Sequence, residues 1–382
     1  MPSRGRGGRS ASPLPDTALS AGATPLADII RRILSTPREA GTPEAHEARA
    51  IVSSYLTQLG YRVTLQKFSF TPASLRAFPL FGAGLGGLAL VLLPFLASAG
   101  PPAWAALAVW AAGVAGLSIL AAGAGLGWVP LGDPPREDAN VIATRGDQPP
   151  RRWIVAHLDT KAQGHSMAGR LVAVWVTALT VIVLTLLAFL RLRAPLPWIA
   201  ILPGLVLAIV AGALAGRGRL RGRSHGARDN GSGIAAALTA AESTADPRIG
   251  ILITGAEEFG LVGARVFARA GGGLEGTEFV NLDTIDQEGT LFLVSHEARG
   301  TALAALLEPC LSEIGVLIRQ RRLPLGIFVD SAPLSRTGGA AMTIGRLTWN
   351  TLRRIHTPAD TADGLSLEVA QRVGRAVAQI DL

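Results

Sequence analysis

The sequence predicts an α/β protein, a three-layer αβα sandwich with a mostly parallel mixed sheet, into which four transmembrane helices are inserted as two hairpins. Two observations support this prediction. Long uncharged stretches interrupt the chain, and between them short β-rich runs alternate with helical segments. Strands separated by helices form largely parallel sheets that helices cover on both faces. Hydrophobic residues make up 49% of the chain and charged residues only 17%, against about 25% in soluble domains, so part of the chain is expected to lie in lipid.

The uncharged stretches have the length of membrane spans. No charged residue stands between Arg76 and Asp133, and this stretch of 56 residues fits two spans joined by the turn at 100–102, since one span needs roughly 20 apolar residues. The uncharged runs 171–190 and 194–216, which two arginines separate, predict a second pair. Four buried core helices are the alternative, but a soluble core seldom needs four uncharged runs of this length.

These spans divide the chain into six segments. Residues 1–24 are rich in Arg, Gly, Ser and Pro and are predicted to form a disordered basic tail. The remaining segments are 25–76 (N-terminal part of the soluble domain), 77–129 (hairpin 1), 130–170 (a strand carrying a His-x-Asp motif), 171–216 (hairpin 2) and 217–382 (the remainder of the domain).

The soluble segments alternate between helix and strand. Residues 43–59 have helical spacing and end at Gly60, and residues 62–70 alternate as a strand does. Further strands are predicted at 140–143, 153–156, 250–253 and 278–282, and further helices at 234–242 and 261–270.

Two motifs contain residue types that commonly bind metal ions, one at the end of a predicted strand and one at the start of a predicted helix. His157 and Asp159 end the strand in WIVAHLDT, and residues i and i+2 of an extended chain point to the same side. Asp229 lies in the turn-rich segment DNGSG, which opens an Ala-rich helix. Each motif alone also fits an ordinary structural role, a strand-end turn for the first and a helix cap for the second.

Three more candidates follow later in the chain. Glu257 and Glu258 come directly after the apolar strand of ILITGA. Neighbouring side chains on irregular backbone point in different directions, so one carboxylate can bind a metal while the other faces the substrate; a solvated acidic loop is the alternative. Asp283 ends another apolar strand, and His356 lies in a loop that Pro358 constrains.

Taken together, these histidines and carboxylates predict a two-metal site. Zinc accepts imidazole nitrogen and carboxylate oxygen, and its catalytic sites leave one position open for water. Two metals a few ångströms apart can hold both the nucleophile and the developing oxyanion. The single cysteine, Cys310, excludes a thiolate-rich zinc site and an intrachain disulfide.

In their order along the chain, the motifs HLDT, DNGSG, AEEFGLVGA, NLD and HTPADT resemble the co-catalytic two-zinc aminopeptidases, family twenty-eight of the metallopeptidases. The segment PREAGTPEAHEARAIVSSYLTQLGYRVTLQKF is similar to the N-terminal helix and strand of that family. The resemblance covers roughly residues 30–76, 139–165 and 225–370. It implies the zinc-aminopeptidase fold and an exopeptidase that hydrolyses the N-terminal peptide bond of peptides.

The resemblance also implies a ligand set for two Zn²⁺ ions per chain. His157 and Asp283 would bind one zinc ion, and Glu258 and His356 would bind the other. Asp229 would bridge both ions through its two carboxylate oxygens.

Two further roles are carried over in the same way. Glu257 would be the general base that takes a proton from the bridging water and passes it to the leaving amine. Asp159 would orient His157 through the second ring nitrogen.

The chain departs from this family in two places. Hairpin 2 separates the His-x-Asp motif from DNGSG, where the family usually has a short connection, so the resemblance leaves the access route and the substrate size open. Arg228 stands where many relatives carry a second acid, and this position is expected to tolerate substitution.

Two other functions remain open. A single-zinc glutaminyl cyclase, an acyltransferase of the same fold, fits HLDTK, although DNGSG and HTPADT favour the peptidase. A receptor-like domain without catalysis is the third possibility, but such domains usually lose ligands, and here all five ligands and the base are present. Nucleic acid is not expected as a partner, because no basic stripe with interleaved aromatic residues is found.

The motifs must meet in one site, so the N-terminal segment, residues 130–170 and residues 217–382 are expected on the same membrane face. Arginines near the span ends are more numerous on this side than in the loops that link the spans of each hairpin. Such an excess marks the cytoplasmic face, and no apolar signal segment follows the N-terminal arginines. The sequence therefore predicts a multi-pass integral membrane protein with lipid as partner and a cytoplasmic catalytic domain, although membrane-anchored members of the family that it resembles often place this domain outside the cytosol or in an organelle lumen. The resemblance also implies a peptide substrate.

Overall fold

The computed structural model describes residues 25–129 and 131–379 of the 382-residue chain; the predicted disordered tail, residues 1–24, lies outside them. The helices are α1 (Leu26–Leu34), α2 (Pro43–Gln58), α3 (Ala77–Ala97), α4 (Ala105–Gly125), α5 (Met167–Leu190), α6 (Trp198–Gly216), α7 (Ser232–Ser243), α8 (Val262–Ala270), α9 (Ala298–Ser312), α10 (Ser331–Leu334), α11 (Trp349–Arg354) and α12 (Glu368–Gln379). The strands are β1 (Arg62–Phe70), β2 (Arg136–Thr144), β3 (Arg152–His157), β4 (Ile249–Thr254), β5 (Glu278–Ile285), β6 (Thr290–Ser295), β7 (Ile318–Arg321) and β8 (Ala340–Leu347).

Strands from all three soluble segments join one mixed sheet. Over the described residues its order is β1-β2-β4-β3-β5-β8-β6-β7. The central strands β4, β3, β5 and β8 run parallel, whereas β1–β2, β2–β4 and β8–β6 pair antiparallel. The predicted fold class, an α/β sandwich with a mixed sheet, is confirmed.

The central strands are buried on both faces, which explains their continuous apolar runs. In β3, Ile154 and Ala156 pack into the larger core, which α1, α2, α7, α9 and α12 cover. The alternate residues Trp153 and Val155 pack into a second core on the opposite face, beneath α8 and α10. Because successive side chains point to opposite faces of the sheet, each central strand contributes residues to both cores. The sheet and the helices on its two faces form the three layers.

The helices α3 to α6 form two hairpins beside the sandwich. Among the described residues, these four helices are the ones long and apolar enough to cross a membrane, as the sequence predicts. Helix α3 packs against α4 and α6, and α5 packs mainly against α6. Small residues allow the close approach of α3 and α6, because a Cβ atom on Gly82 would lie 2.3 Å from the side chain of Ala215.

Each hairpin leaves the sandwich and returns to it. Strands β1 and β2 flank hairpin 1 and pair along their whole length, from Arg62 opposite Thr144 to Phe70 opposite Arg136. Hairpin 2 leaves after β3 and returns before α7. The soluble segments therefore fold into one domain although the apolar hairpins interrupt it twice.

Candidate metal centre

The predicted site residues meet at the carboxyl edge of the parallel strands. His157 is the last residue of β3, Glu257 and Glu258 follow β4, and Asp283 lies near the end of β5. Carboxyl ends of adjacent parallel strands converge at one edge, which is where ligands bind in open α/β sheets. Asp229 approaches from the tight turn before α7.

Two groups of metal-binding side chains, which share Asp229, are found among the described residues. In the first, His157 Nε2 lies 3.2 Å from Asp229 Oδ1 and 3.7 Å from Asp283 Oδ1. In the second, His356 Nε2 lies 3.1 Å from Asp229 Oδ2 and 3.3 Å from Glu258 Oε1. Each oxygen of Asp229 thus faces a different histidine.

The chemistry of these donors fits two zinc ions. Each group offers one imidazole nitrogen and two carboxylate oxygens, the donor types that zinc accepts when a coordination position stays open. Glu258 Oε1 is buried and has no hydrogen-bond donor within the described part of the chain, and an uncompensated buried carboxylate oxygen is costly unless a cation binds it. Asp229 is 7% exposed and His157 1% exposed, so water competes poorly for these atoms.

Asp159 contacts His157 through the second ring nitrogen. His157 Nδ1 lies 3.0 Å from the backbone carbonyl oxygen of Asp159, whereas the carboxylate is 3.8 Å away. The carboxylate accepts hydrogen bonds from the backbone N–H groups of Glu257, at 2.9 Å, and Glu258, at 3.1 Å. The main chain of Asp159 is therefore placed to orient His157, and its side chain fixes the backbone of the glutamate pair.

The two neighbouring glutamates have opposite electrostatic surroundings. Burial raises the pKa of Glu257 well above the usual value, and His157 only partly offsets this effect. Burial also acts to raise the pKa of Glu258, but the neighbouring Lys161 ammonium group and the His356 side chain outweigh it and lower that pKa to about 2. Glu258 is thus an anion suited to a metal, and Glu257 is the carboxylate with the higher proton affinity.

Lys161 is a part of the site that sequence reasoning missed. Its ammonium group forms a buried ion pair with Glu258 Oε2. The other oxygen, Oε1, remains directed at His356 and Asp229. The only signal in the sequence was its position two residues after Asp159, in a chain with two lysines.

Asp330 was also missed. It is fully buried at the start of α10, accepts a hydrogen bond from Thr254 at the end of β4 and, through burial, has a pKa raised to about 7. Its charge interacts with those of His157 and Glu257. A single Asp in a loop without a motif offers no signal in one sequence, so only the fold could reveal it.

The turn that carries Asp229 is held by a second buried acid. Asp360, in the HTPADT motif, accepts hydrogen bonds from the backbone N–H groups of Arg228, at 2.9 Å, and Asp229, at 3.1 Å. Arg228 is itself buried and pairs with Asp286 and Asp360. The expected tolerance at Arg228 does not agree with these contacts, because its loss would leave two buried carboxylates without their cation.

The backbone is strained around the same residues. His356 has φ of 64°, Ala256 before the glutamate pair has φ of 51°, and Thr284 after Asp283 has φ of 54°. Non-glycine residues rarely adopt this left-handed conformation, and such strain concentrates at functional sites.

A cavity of about 1500 Å³ adjoins the metal centre, larger than the roughly 300–1000 Å³ of ordinary ligand sites. Glu257 lines one end of it together with the five candidate metal ligands, His157, Asp229, Glu258, Asp283 and His356. Most of the remaining lining is apolar and comes from both hairpins and from residues 323–329. The centre is therefore accessible to an organic substrate.

Solved structures with the same fold include two aminopeptidases and a cyclase. The chain is similar to an aminopeptidase from Aneurinibacillus sp. strain AM-1, with 17% identity and a TM-score of 0.55 over 93% of both chains. It is similar to BSAP, a zinc aminopeptidase from Bacillus subtilis, with 14% identity and a TM-score of 0.53 over 92% of this chain and 93% of that one. It is also similar to a glutaminyl cyclase from Tannerella forsythia, with 13% identity and a TM-score of 0.55 over 93% of this chain and 96% of that one. At these identities the likeness shows the fold alone.

Sequence comparison finds a family match in the C-terminal part of the chain. Among curated proteins, none matches the chain. Residues 207–381, which carry every predicted ligand except His157, match the model of peptidase family M28. Over these residues, the chain is similar to peptidase family M28.

Proposed function

We propose that the protein is a membrane-bound, metal-dependent exopeptidase of the aminopeptidase type that binds two zinc ions. The observation that carries this proposal is the placement of Asp229, whose two oxygens face His157 and His356 separately. A carboxylate in this position can bridge two ions, and the family and the aminopeptidase neighbours support the same activity.

The reaction is the hydrolysis of an amide. The water oxygen forms a bond to the carbonyl carbon and the C–N bond breaks. The carbonyl carbon becomes part of a carboxylate, and the nitrogen leaves as an amine. When bound, the zinc ions supply Lewis-acid activation of the water and of the scissile carbonyl.

Glu257 is the proposed base. It borders the cavity beside both ligand groups without belonging to either, and its backbone is fixed by Asp159. Its carboxylate takes the proton from the water and delivers it to the leaving amine. Burial raises the pKa of Glu257, and this raised proton affinity suits a group that must accept a proton and then release it.

Lipid is the proposed partner of α3 to α6. Exposed apolar side chains cover the outward faces of these helices, among them Trp175, Ile182, Ile199 and Ile209, and in water such surfaces would be costly. The arginines near the proximal span ends favour a catalytic domain on the cytoplasmic face.

Lys161 favours a second candidate, a single-zinc glutaminyl cyclase. Its ammonium group binds the Glu258 carboxylate and so competes with a cation in the second ligand group. The cyclase from Tannerella forsythia shares the fold.

Elemental analysis and activity of the detergent-purified full chain test both candidates. We expect two zinc ions per chain, hydrolysis of aminoacyl reporter amides, loss of hydrolysis on chelation and recovery with zinc. One ion per chain, together with cyclisation of N-terminal glutamine, would instead establish the cyclase. Two zinc ions per chain without turnover of any amide would instead favour a receptor-like domain without catalysis.

A further inference from the structure

The apolar part of the cavity runs along the side of helix α5 that faces hairpin 1. Arg170, Val174, Thr177, Ala178 and Val181 line it at helical spacing. From Arg170 to Val181 the row is about 16 Å long, since an α-helix rises about 1.5 Å per residue. One end of this row adjoins Glu257 and the metal-binding side chains, and the other lies well within a helix long enough to span a bilayer.

The opposite wall is formed by the proximal ends of hairpin 1. Phe78 and Phe81 of α3, and Ala122 and Gly125 of α4, border the same space. Near the distal end the two hairpins are joined, because Trp110 Nε1 donates a 2.8 Å hydrogen bond to Thr185 Oγ1. Helices α4 and α5 are thus linked far from the metal centre and enclose a channel close to it.

This channel also opens to the outer surface of the helices. Three residues that line it, Ile182 at 65%, Phe328 at 61% and Leu126 at 42%, are exposed. Phe328 belongs to the apolar segment 323–329, whose Gly326 lies against Val174 of α5. The exposed residues are large and apolar, so the surface around the opening suits hydrocarbon rather than water.

We propose that the substrates are amides bearing a long hydrocarbon chain, which enter from the bilayer between hairpin 1 and α5 and keep that chain in the channel during hydrolysis. This inference rests on the proposed amide hydrolase activity and specifies its substrate class. A soluble peptide would leave the channel empty, whereas a hydrocarbon chain fills an apolar space that is continuous with both the metal centre and the lipid-facing surface.

A pair of valines on α5 provides the test. Val181 lines the channel, whereas Val172 is 47% exposed on the outward face of the same helix. We expect Val181→Trp to lower kcat/KM roughly tenfold or more for leucyl-dodecylamide, because the indole ring would occupy the part of the channel that the hydrocarbon chain needs. Hydrolysis of leucyl-ethylamide by the same variant should be unchanged, which also shows that the variant folds. The matched control Val172→Trp should hydrolyse both amides as the unmodified protein does.

A measurement without turnover separates this inference from the proposed function. A dodecylamine carrying a terminal photoreactive diazirine should crosslink to the Thr177–Ile182 stretch of the full chain in lipid nanodiscs, and Val181→Trp should abolish that crosslink. Crosslinking there without hydrolysis of either amide would support the channel and overturn the hydrolase proposal. Equal hydrolysis of the two amides by Val181→Trp, or crosslinking elsewhere on the chain, would overturn the channel and leave the hydrolase proposal intact.

Discussion

Asp229 connects the two ligand groups, because each of its oxygens faces a different histidine. We expect Asp229→Ala to reduce the zinc content from two ions per chain to less than one, since each ion would lose a ligand. Elemental analysis of the purified variant measures this loss. Asp363→Ala is the control, because Asp363 is exposed and bonds only locally to Thr361. Retention of one full ion by Asp229→Ala would show that the carboxylate does not bridge.

The adjacent glutamates should respond differently to the same substitution. Glu257→Gln should keep both zinc ions and lose turnover by roughly 10²–10⁴-fold, the usual contribution of general acid–base catalysis. Glu258→Gln should instead lose affinity for one ion, because the amide carries no charge and Lys161 loses its partner. Zinc titrations and kcat measurements on both variants distinguish these effects. Near-normal turnover by Glu257→Gln would reject its role as base.

Arg228 should matter for stability. Replacing it with Met leaves Asp286 and Asp360 buried without their cation, and breaking a buried ion pair from one side costs about 3–5 kcal/mol. We expect a clear decrease in the midpoint of thermal unfolding in detergent. Arg299→Met, which removes an exposed ion pair with Glu297, should leave the midpoint nearly unchanged, because such pairs contribute little. Equal midpoints for the two variants would contradict the structural importance of Arg228.

Among single residues, the sequence predicts those that lie in recognisable motifs. It misses those that reach the site only through tertiary packing. His157 and Asp229 stand beside recognisable strand or turn signals, and the structure brings them together. Lys161 and Asp330 reach the site only through the packing of β3, β4 and α10. Asp159 shows a further limit, because residue spacing does not reveal whether its carbonyl or its carboxylate faces His157.

Among the elements, α5 is followed by a residue, Arg191, that links the two hairpins. The Arg191 guanidinium donates hydrogen bonds to the carbonyl oxygens of Phe95, at 2.9 Å, Ser98, at 2.8 Å, and Pro101, at 3.1 Å. Hydrogen bonds that involve a charged group contribute about 1.5–3 kcal/mol. The distal ends of hairpins 1 and 2 are therefore fixed by one buried side chain.

Substituting Arg191 tests this connection. We expect Arg191→Leu to lower the midpoint of thermal unfolding in detergent, because three carbonyl groups lose their donor. The neighbouring Arg193 is exposed, so Arg193→Leu is the matched control and should unfold at the temperature of the unmodified protein. A common midpoint for both variants would mean that the other contacts between the hairpins, among them the Trp110–Thr185 hydrogen bond, hold them together without Arg191.

Elements with a strong local pattern are the ones that the sequence predicts well. The alternation in RVTLQKFSF predicts a strand at 62–70, and β1 has the same bounds. The uncharged runs predict α3 to α6 because length and apolarity are local properties. In contrast, α1, strand β6 and the edge strand β7 were not predicted. Strand β7 has four residues, three of them exposed, and its pairing with β6 depends on contacts distant in sequence.

For the whole molecule, the single sheet means that, in the proposed membrane arrangement, its three contributing segments must lie on one side of the bilayer. Cysteine accessibility measures this arrangement. In a Cys310→Ser background, single cysteines at Glu47, Asp147 and Glu313, all exposed positions of the domain, should resist an impermeant maleimide in intact cells and react after lysis. A cysteine at Gly100, in the exposed distal turn of hairpin 1, should react in intact cells.

The possible labelling patterns have separate meanings. Reaction of the three domain cysteines in intact cells, with protection of Gly100→Cys, would reverse the proposed orientation and keep the four-span arrangement. Different behaviour among the three domain cysteines would contradict the arrangement itself, because one sheet cannot be divided between two aqueous compartments.

The strand order has a consequence for biosynthesis. Strand β3, which ends in His157, pairs with β4 and β5, and both follow hairpin 2 in the chain. A ribosome therefore releases β3 before either neighbour exists, and it must synthesise α5 and α6 before the centre of the sheet can form. The proposed zinc ligands can therefore meet only after hairpin 2 has been synthesised, so in the proposed membrane arrangement this hairpin is available for insertion before the site exists.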